Sequence, residues 1–134
     1  MDDIREQLVT ELEEAHQVVK TLVDELDRKR EIYPGWKSKE FLAHLTGWDE
    51  ASVASLRAHS LGNEPGTPAY RGIDYYNEQS VAERVSLEYP QVYHEWEMAR
   101  AAFKKAVRDV PLERLHEPML MPWGQTGSVK VIVG

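Results

Sequence analysis

Apolar residues recur along the chain at helical period, in runs separated by stretches rich in glycine and proline. In the first run Ile4, Leu8, Leu12, Ala15, Val19, Leu22 and Leu26 follow one another at steps of three and four, the spacing of one helix face. This predicts a long amphipathic helix from Asp2 to about Arg30. Asp2 and Asp3 at its start and Arg28, Lys29 and Arg30 at its end suit the helix dipole. Glu11, Glu13 and Glu14 read as a solvated face, and His16 as a boundary residue. Tyr33-Pro34-Gly35 breaks the run, because proline restricts its predecessor and glycine frees the next φ. A second helix is predicted from Ser38 to about Ser60, with Ser38 as N-cap and Glu40 in its first turn. Phe41, Leu45, Trp48, Ser52 and Leu56 share one face, and Leu61-Gly62 supplies the stop.

Gly62–Gly72 holds three glycines and two prolines in eleven residues, a long surface connection for a compact bundle. Tyr70, Tyr75 and Tyr76 cluster at its exit with Arg71 and Asn77. The rings either line the mouth of a pocket or, the commoner role, pin the loop to the bundle. A short helix is predicted from Asp74 to Val85. A further long one restarts at Tyr89-Pro90, where proline in the first turn costs no hydrogen bond. Val92, Trp96, Ala99, Phe103, Ala106 and Val110 form the cleanest apolar stripe in the chain. His94 and Met98 lie off it, at the solvent edge. Pro111–Gly127, with Met119, Leu120, Met121 and Trp123, reads as a connector folded over the end of the core rather than as a Met-rich binding surface. Ser128 then caps VKVIVG, the opening of a further helix, with a short VKVIV strand as the competing assignment.

Three long amphipathic helices and the start of another predict an all-α, up-down four-helix bundle whose fourth helix is only begun at Gly134. Residues 1–134 are expected to form one domain, C-terminally incomplete. Either the natural chain runs on past Gly134, or a partner chain supplies the missing packing; a homodimer is the expected assembly.

Composition narrows the function. Sixteen basic and 23 acidic residues leave a net charge of −7, which argues against a nucleic-acid partner. Without cysteine there is no disulfide framework, thiolate nucleophile or Cys-ligated zinc. No stretch approaches a membrane span, no basic leader opens the chain, and a cytoplasmic protein is the default. Ser-His-Asp order, glycine-rich phosphate loops and paired-carboxylate motifs are absent. His44 remains as the most chemically suggestive position, a titratable imidazole beside an apolar stripe, one turn after Glu40 and one turn before Trp48.

The tracts GWKSKEFLAHLTGWDE, IDYYNEQSVAERVSLEYPQVYHEWEMARAAF and PWGQTGSVKVIVG resemble the DinB-like four-helix-bundle superfamily, and within it small proteins of the ClbS/DfsB type. The likeness spans Met1 to Gly134. It implies a divalent metal, zinc or nickel, held by three histidines: one from the second helix and an HxxxH pair from the fourth. His44 matches the first. His16, His59, His94 and His116 match neither of the others, so a metal is implied only if further ligands lie beyond Gly134. Glu40 is placed to add an oxygen or, more simply, to hydrogen-bond His44. The resemblance also implies chemistry on small electrophiles, by thiol-dependent transferases or isomerases or by hydrolases and sequestering proteins that guard against a reactive natural product.

Three readings follow. The first is a metal- or acid/base-dependent hydrolase or transferase acting on a small electrophile. In it His44 is ligand or base, Glu40 and Trp48 shape its surroundings, and Tyr70, Tyr75 and Tyr76 form pocket walls. The second is a non-catalytic small-molecule-binding bundle. The third is a dimerising helical module whose histidine is a satisfied core residue.

Overall fold

The computed structural model describes residues 4–26 and 29–133, and of Tyr33 the backbone only. The chain is an all-α bundle of α1 (Ile4–Glu25), α2 (Ser38–Ser60), α3 (Ile73–Ala82), α4 (Tyr89–Arg108) and α5 (Val129–Val133). Two antiparallel hairpins accompany it, β1 (Glu31–Tyr33) with β2 (Trp36–Lys37) and β3 (Met119–Leu120) with β4 (Thr126–Gly127). The hairpins are too short to show any alternation in the sequence, and neither was expected. The first turns at Pro34-Gly35, where Gly35 takes φ +86°. Asp2, Asp3, Arg28 and Gly134 lie outside the described residues.

Central helix α2 packs on α4 and α3, and α1 packs on α4 and α5. One apolar cluster joins Leu8, Leu12, Leu56, Phe103, Val107 and Met121, among others; a second joins Val23, Leu42, Val92 and Trp96. Burying each such leucine contributes roughly 1.5–3 kcal/mol. All six stripe residues of α4 and its flank are buried. The α1 stripe holds at Leu8 and Leu12 and then drifts: Val9, His16 and Val23 are buried, whereas Ala15 and Leu22 are exposed. His16 is therefore a core residue and not a boundary one. Its Nε2–H donates to Glu97 Oε1 at 3.0 Å, its Nδ1 lies 3.3 Å from Lys104 Nζ, and its ring meets Trp96 edge-on. On α2, too, Leu42, Thr46, Asp49, Val53 and Leu56 are buried, while Phe41, Leu45 and Trp48 are half-buried.

Ser38 is not the N-cap: Lys37 is, and Ser38 is the first helical residue, its Oγ buried without a partner among the described residues. Glu40 accepts the Lys37 backbone N–H at 3.1 Å, the return half of a capping box. Gln91 does the same for Glu88 N–H at 2.8 Å ahead of α4, with Pro90 in that first turn. At the far end of α2, Gly62 takes φ +78° and closes the helix as expected. The connector after α4 folds over the core, burying Leu115, Met119 and Met121. The Gly62–Gly72 loop is tied to it by the Ala69 N–H donating to Pro122 O at 3.1 Å. Residues 129–133 are helical and not a strand, with Val129 and Ile132 buried.

Candidate functional site

Gly47 lets α3 lie close against α2. A Cβ at this position would stand 2.1 Å from Ser80 Oγ and 2.6 Å from Ser80 Cβ. Tyr76, one turn before Ser80, donates its hydroxyl to Gly47 O at 2.7 Å and packs its ring 4.7 Å from Trp48. At the C-terminal end of α3, buried Arg84 donates to Glu95 Oε1 at 2.9 Å and to Ser80 O at 3.0 Å, and pairs with Glu50. One guanidinium thus fastens α3 to both α2 and α4.

This docking brings Asn77 to His44. Asn77 Oδ1 accepts from Trp48 Nε1–H at 2.5 Å and lies 2.9 Å from His44 Nδ1. Indole is a donor only, so the atom facing it is an acceptor, and the same oxygen accepts a hydrogen bond from His44 Nδ1–H. The imidazole is thereby held as the Nδ1–H tautomer. Its Nε2 keeps a lone pair and has no hydrogen-bond partner among the described residues. Burial lowers the His44 pKa, against a smaller opposite effect of the Asn77 bond, so the ring is neutral at pH 7. Trp36 stacks at a tilt 5.0 Å from it and Phe41 lies 6.0 Å away. These groups open onto a cleft of about 520 Å³ lined by Pro34, Trp36, Phe41, His44, Asp74, Asn77 and Glu78.

Of the residues singled out from sequence, His44 lines this cleft and Trp48 holds the acceptor that orients it. No hydrogen bond joins Glu40 to His44 among the described residues; the Glu40 carboxylate accepts the Lys37 N–H, because the third helical position reaches back to the N-cap and not along the helix. Tyr70 is exposed on the loop, and Tyr75 pairs with Arg71, whose Nη1–H donates to its hydroxyl at 2.9 Å. Tyr76 supports the cleft from behind through Gly47. None of the three tyrosines lines it. Asn77 enters the sequence reading only as a polar neighbour of the tyrosines, and Trp36, Asp74 and Glu78 have no site role in it. The available signal was Asp74, Asn77 and Glu78 at i, i+3 and i+4, one face of a short helix.

A second cavity, of about 430 Å³, lies beside Trp48 and Trp123 and is lined also by Asp49, Ser52, Arg100 and Phe103. Asp49 Oδ1 pairs with Arg100 Nη2 at 3.2 Å, both side chains being buried. Burial pushes the Asp49 pKa up to about 7, with Arg100 opposing the shift.

His44 supplies one donor toward a metal, and no group of three histidine, aspartate or glutamate side chains among the described residues could hold one. Among these residues, too, no helix is long and apolar enough to cross a membrane.

Comparison with solved structures gives the same fold in a mycothiol-dependent maleylpyruvate isomerase, at TM-score 0.77 and 14% identity, with 96% of this chain aligned. A histidine-to-alanine mutant of a mycothiol-dependent maleylpyruvate isomerase aligns at TM-score 0.79 and 16% identity, again over 96% of this chain. The chain spans about half the length of these structures, 54% of each. A search of the curated proteins finds no match. The family described as mycothiol maleylpyruvate isomerase N-terminal domain matches residues 6–133. Nearly the whole chain is thus accounted for, and it belongs to this family of DinB-like helical bundles.

Proposed function

We propose that the chain is the small-molecule-handling domain of a DinB-like transferase or isomerase. In this reading His44 accepts the proton of a low-molecular-weight thiol as its sulfur adds to a small electrophile held in the cleft. The observation that carries the reading is the fixed tautomer: Asn77 engages Nδ1, and Nε2 is left as the basic atom on a cleft-lining ring. The chain has no cysteine, so the thiol arrives as a cosubstrate. Thiol-dependent isomerisation is the activity named for the enzymes of the same fold, and that class of chemistry, not their substrate, is what we carry over.

The acidities decide how His44 acts. A free thiol titrates near 8.5 and an unperturbed imidazolium near 6.5, so complete transfer is uphill by two units or more, roughly 3 kcal/mol. His44 therefore takes the proton as the S–C bond forms, rather than storing a thiolate beforehand. General-base assistance of this kind is worth about 10²–10⁴ in rate. A zinc or nickel ion would need donors beyond His44 and the other described residues, and no step here relies on one.

The test is loss of a small α,β-unsaturated electrophile with mycothiol present or omitted, for the parent chain and for His44→Ala and His44→Gln. The expected result is thiol-dependent turnover that falls by about 10²–10⁴ in both variants while each still unfolds cooperatively. Turnover that survives both substitutions refutes the role. The finer likeness to the ClbS/DfsB type makes a separate reading, in which water replaces the thiol or the ligand is only sequestered. Loss of electrophile with thiol omitted, or saturable binding without loss, supports that one instead.

A further inference from the structure

The residues around His44 also set the charge of what can approach it. Asp74 and Glu78 lie one helical turn apart on α3, on the same face as Asn77, and both line the cleft. No lysine or arginine lines it. Of the flanking cations, Arg71 bonds and stacks on Tyr75 (2.9 Å to its hydroxyl, 4.8 Å to its ring centre), Lys39 Nζ donates to Val85 O at 2.9 Å, and Lys37, next to Trp36, is exposed and does not line the cleft. Trp36 and Phe41, whose rings lie 5.0 and 6.0 Å from the imidazole, also line the cleft.

We propose that this cleft selects a cationic small molecule, a protonated amine or quaternary ammonium carried on an apolar body, and discriminates against carboxylates. The proposal rests on the reading of the His44 cleft as a ligand site and adds the ligand's class to it. Two carboxylates on one wall attract a cation, and the faces of Trp36 and Phe41 receive it through their quadrupoles. An anion meets the same carboxylates with no lysine or arginine on the cleft wall to neutralise it. Asp74 also sits in the first turn of α3, where a negative charge suits the helix dipole. Glu78 lies in the second turn and has no such duty, so the pair exceeds what the helix alone asks for.

Benzyltrimethylammonium, benzyl alcohol and benzoate share one aromatic body and differ in charge. Their binding at low ionic strength is followed through the imidazole resonances of His44 in the intact chain. The expected order is ammonium, then alcohol, then benzoate, with at least about tenfold between the extremes, a preference that salt weakens. In Asp74→Asn/Glu78→Gln the order collapses while benzyl alcohol binds as before. Glu78→Gln alone, which leaves the helix start intact, removes part of the preference. Equal or tighter binding of benzoate, or an order that survives neutralisation of both carboxylates, overturns this inference and leaves the His44 cleft standing as a ligand site. If none of the three probes shifts the His44 resonances, both the inference and the reading beneath it fall.

Discussion

Replacing Gly47 with alanine tests whether close α2–α3 packing is what orients His44. In an isolated helix the change would help, since alanine is favoured over glycine by about 1 kcal/mol. Here the new methyl group would lie 2.6 Å from Ser80 Cβ, and no rotation of the Ser80 hydroxyl moves that atom. Reaching an ordinary contact of 3.4 Å requires α3 to retreat by 3.4 − 2.6 = 0.8 Å. A shift of that size along the Tyr76–Gly47 bond takes it from 2.7 Å to about 3.5 Å, outside the range of an O–H···O hydrogen bond. Overpacking costs typically 1–3 kcal/mol and the lost bond about 1 more. Against the propensity gain, Gly47→Ala should destabilise by roughly 1–3 kcal/mol. Urea unfolding measures this, and the His44 imidazole resonances report whether the Asn77 bond survives. Ser80→Gly in the same background removes the clash, so a double-mutant cycle should show a favourable coupling of at least about 1 kcal/mol. A Gly47→Ala protein more stable than the parent, with His44 unmoved, would refute the reasoning.

Asn77→Ala strips the acceptor from both His44 Nδ1–H and Trp48 Nε1–H; it should cost about 1–3 kcal/mol and let the imidazole populate both tautomers, which long-range ¹H–¹⁵N spectra resolve. The His44 pKa is lowered on folding, so the unfolded chain binds the extra proton first: stability from this group is present above pH 6.5 and is lost as pH falls through the folded value. His44→Gln should remove that acid-side loss from a pH series of urea midpoints. Asp49 has the opposite sign, because its folded pKa is raised from 3.8 to about 7; its contribution is greatest below pH 3.8 and declines as pH rises to about 7. Asp49→Asn should flatten that decline in the same series, and an unchanged slope would show that the carboxyl titrates normally. Arg84→Met leaves Glu50 and Glu95 unpaired, but both are substantially exposed and rehydrate, so the loss should be about 1–3 kcal/mol rather than that of a fully buried pair, with chemical-shift changes spreading along α3.

Much of the fold was legible because long helices repeat their apolar positions many times. The bounds of α2, the buried stripe of α4, the glycine stop at Gly62 and the helical opening at Ser128 all follow from local pattern. The short hairpins did not, since two or three residues carry no period. The second half of α1 was misread for a related reason. Steps of three and four allow two neighbouring faces, and only packing against Trp96 selects His16 over Ala15. In the candidate site, His44 stood out as an imidazole on a partly apolar face. What makes it chemically distinct, the acceptor on its Nδ1, comes from a residue 33 positions away and depends on a contact between two helices. The expected Glu40–His44 partnership failed because a carboxylate at the third helical position has a nearer donor in the backbone before it.

The dependence on α3 explains why so much of the chain's polar capital is concentrated around a ten-residue helix. Alone, a helix of that length is marginal in water. Its apolar contribution is small: of its residues only Ser80 is fully buried, and Ile73 and Tyr75 are exposed. Directional contacts take the place of a core: the Tyr76 bond to Gly47 O, the Asn77 bond to Trp48 and the Arg84 fork to Glu50 and Glu95. Such bonds fix position more sharply than apolar packing, which tolerates sliding. That sharpness is what a histidine tautomer requires, because a shift of under 1 Å at Asn77 ends the selection of Nδ1. It also fixes Asp74 and Glu78, which share the helix with Asn77, so the group that orients the imidazole and the groups that set the charge of the cleft move as one body.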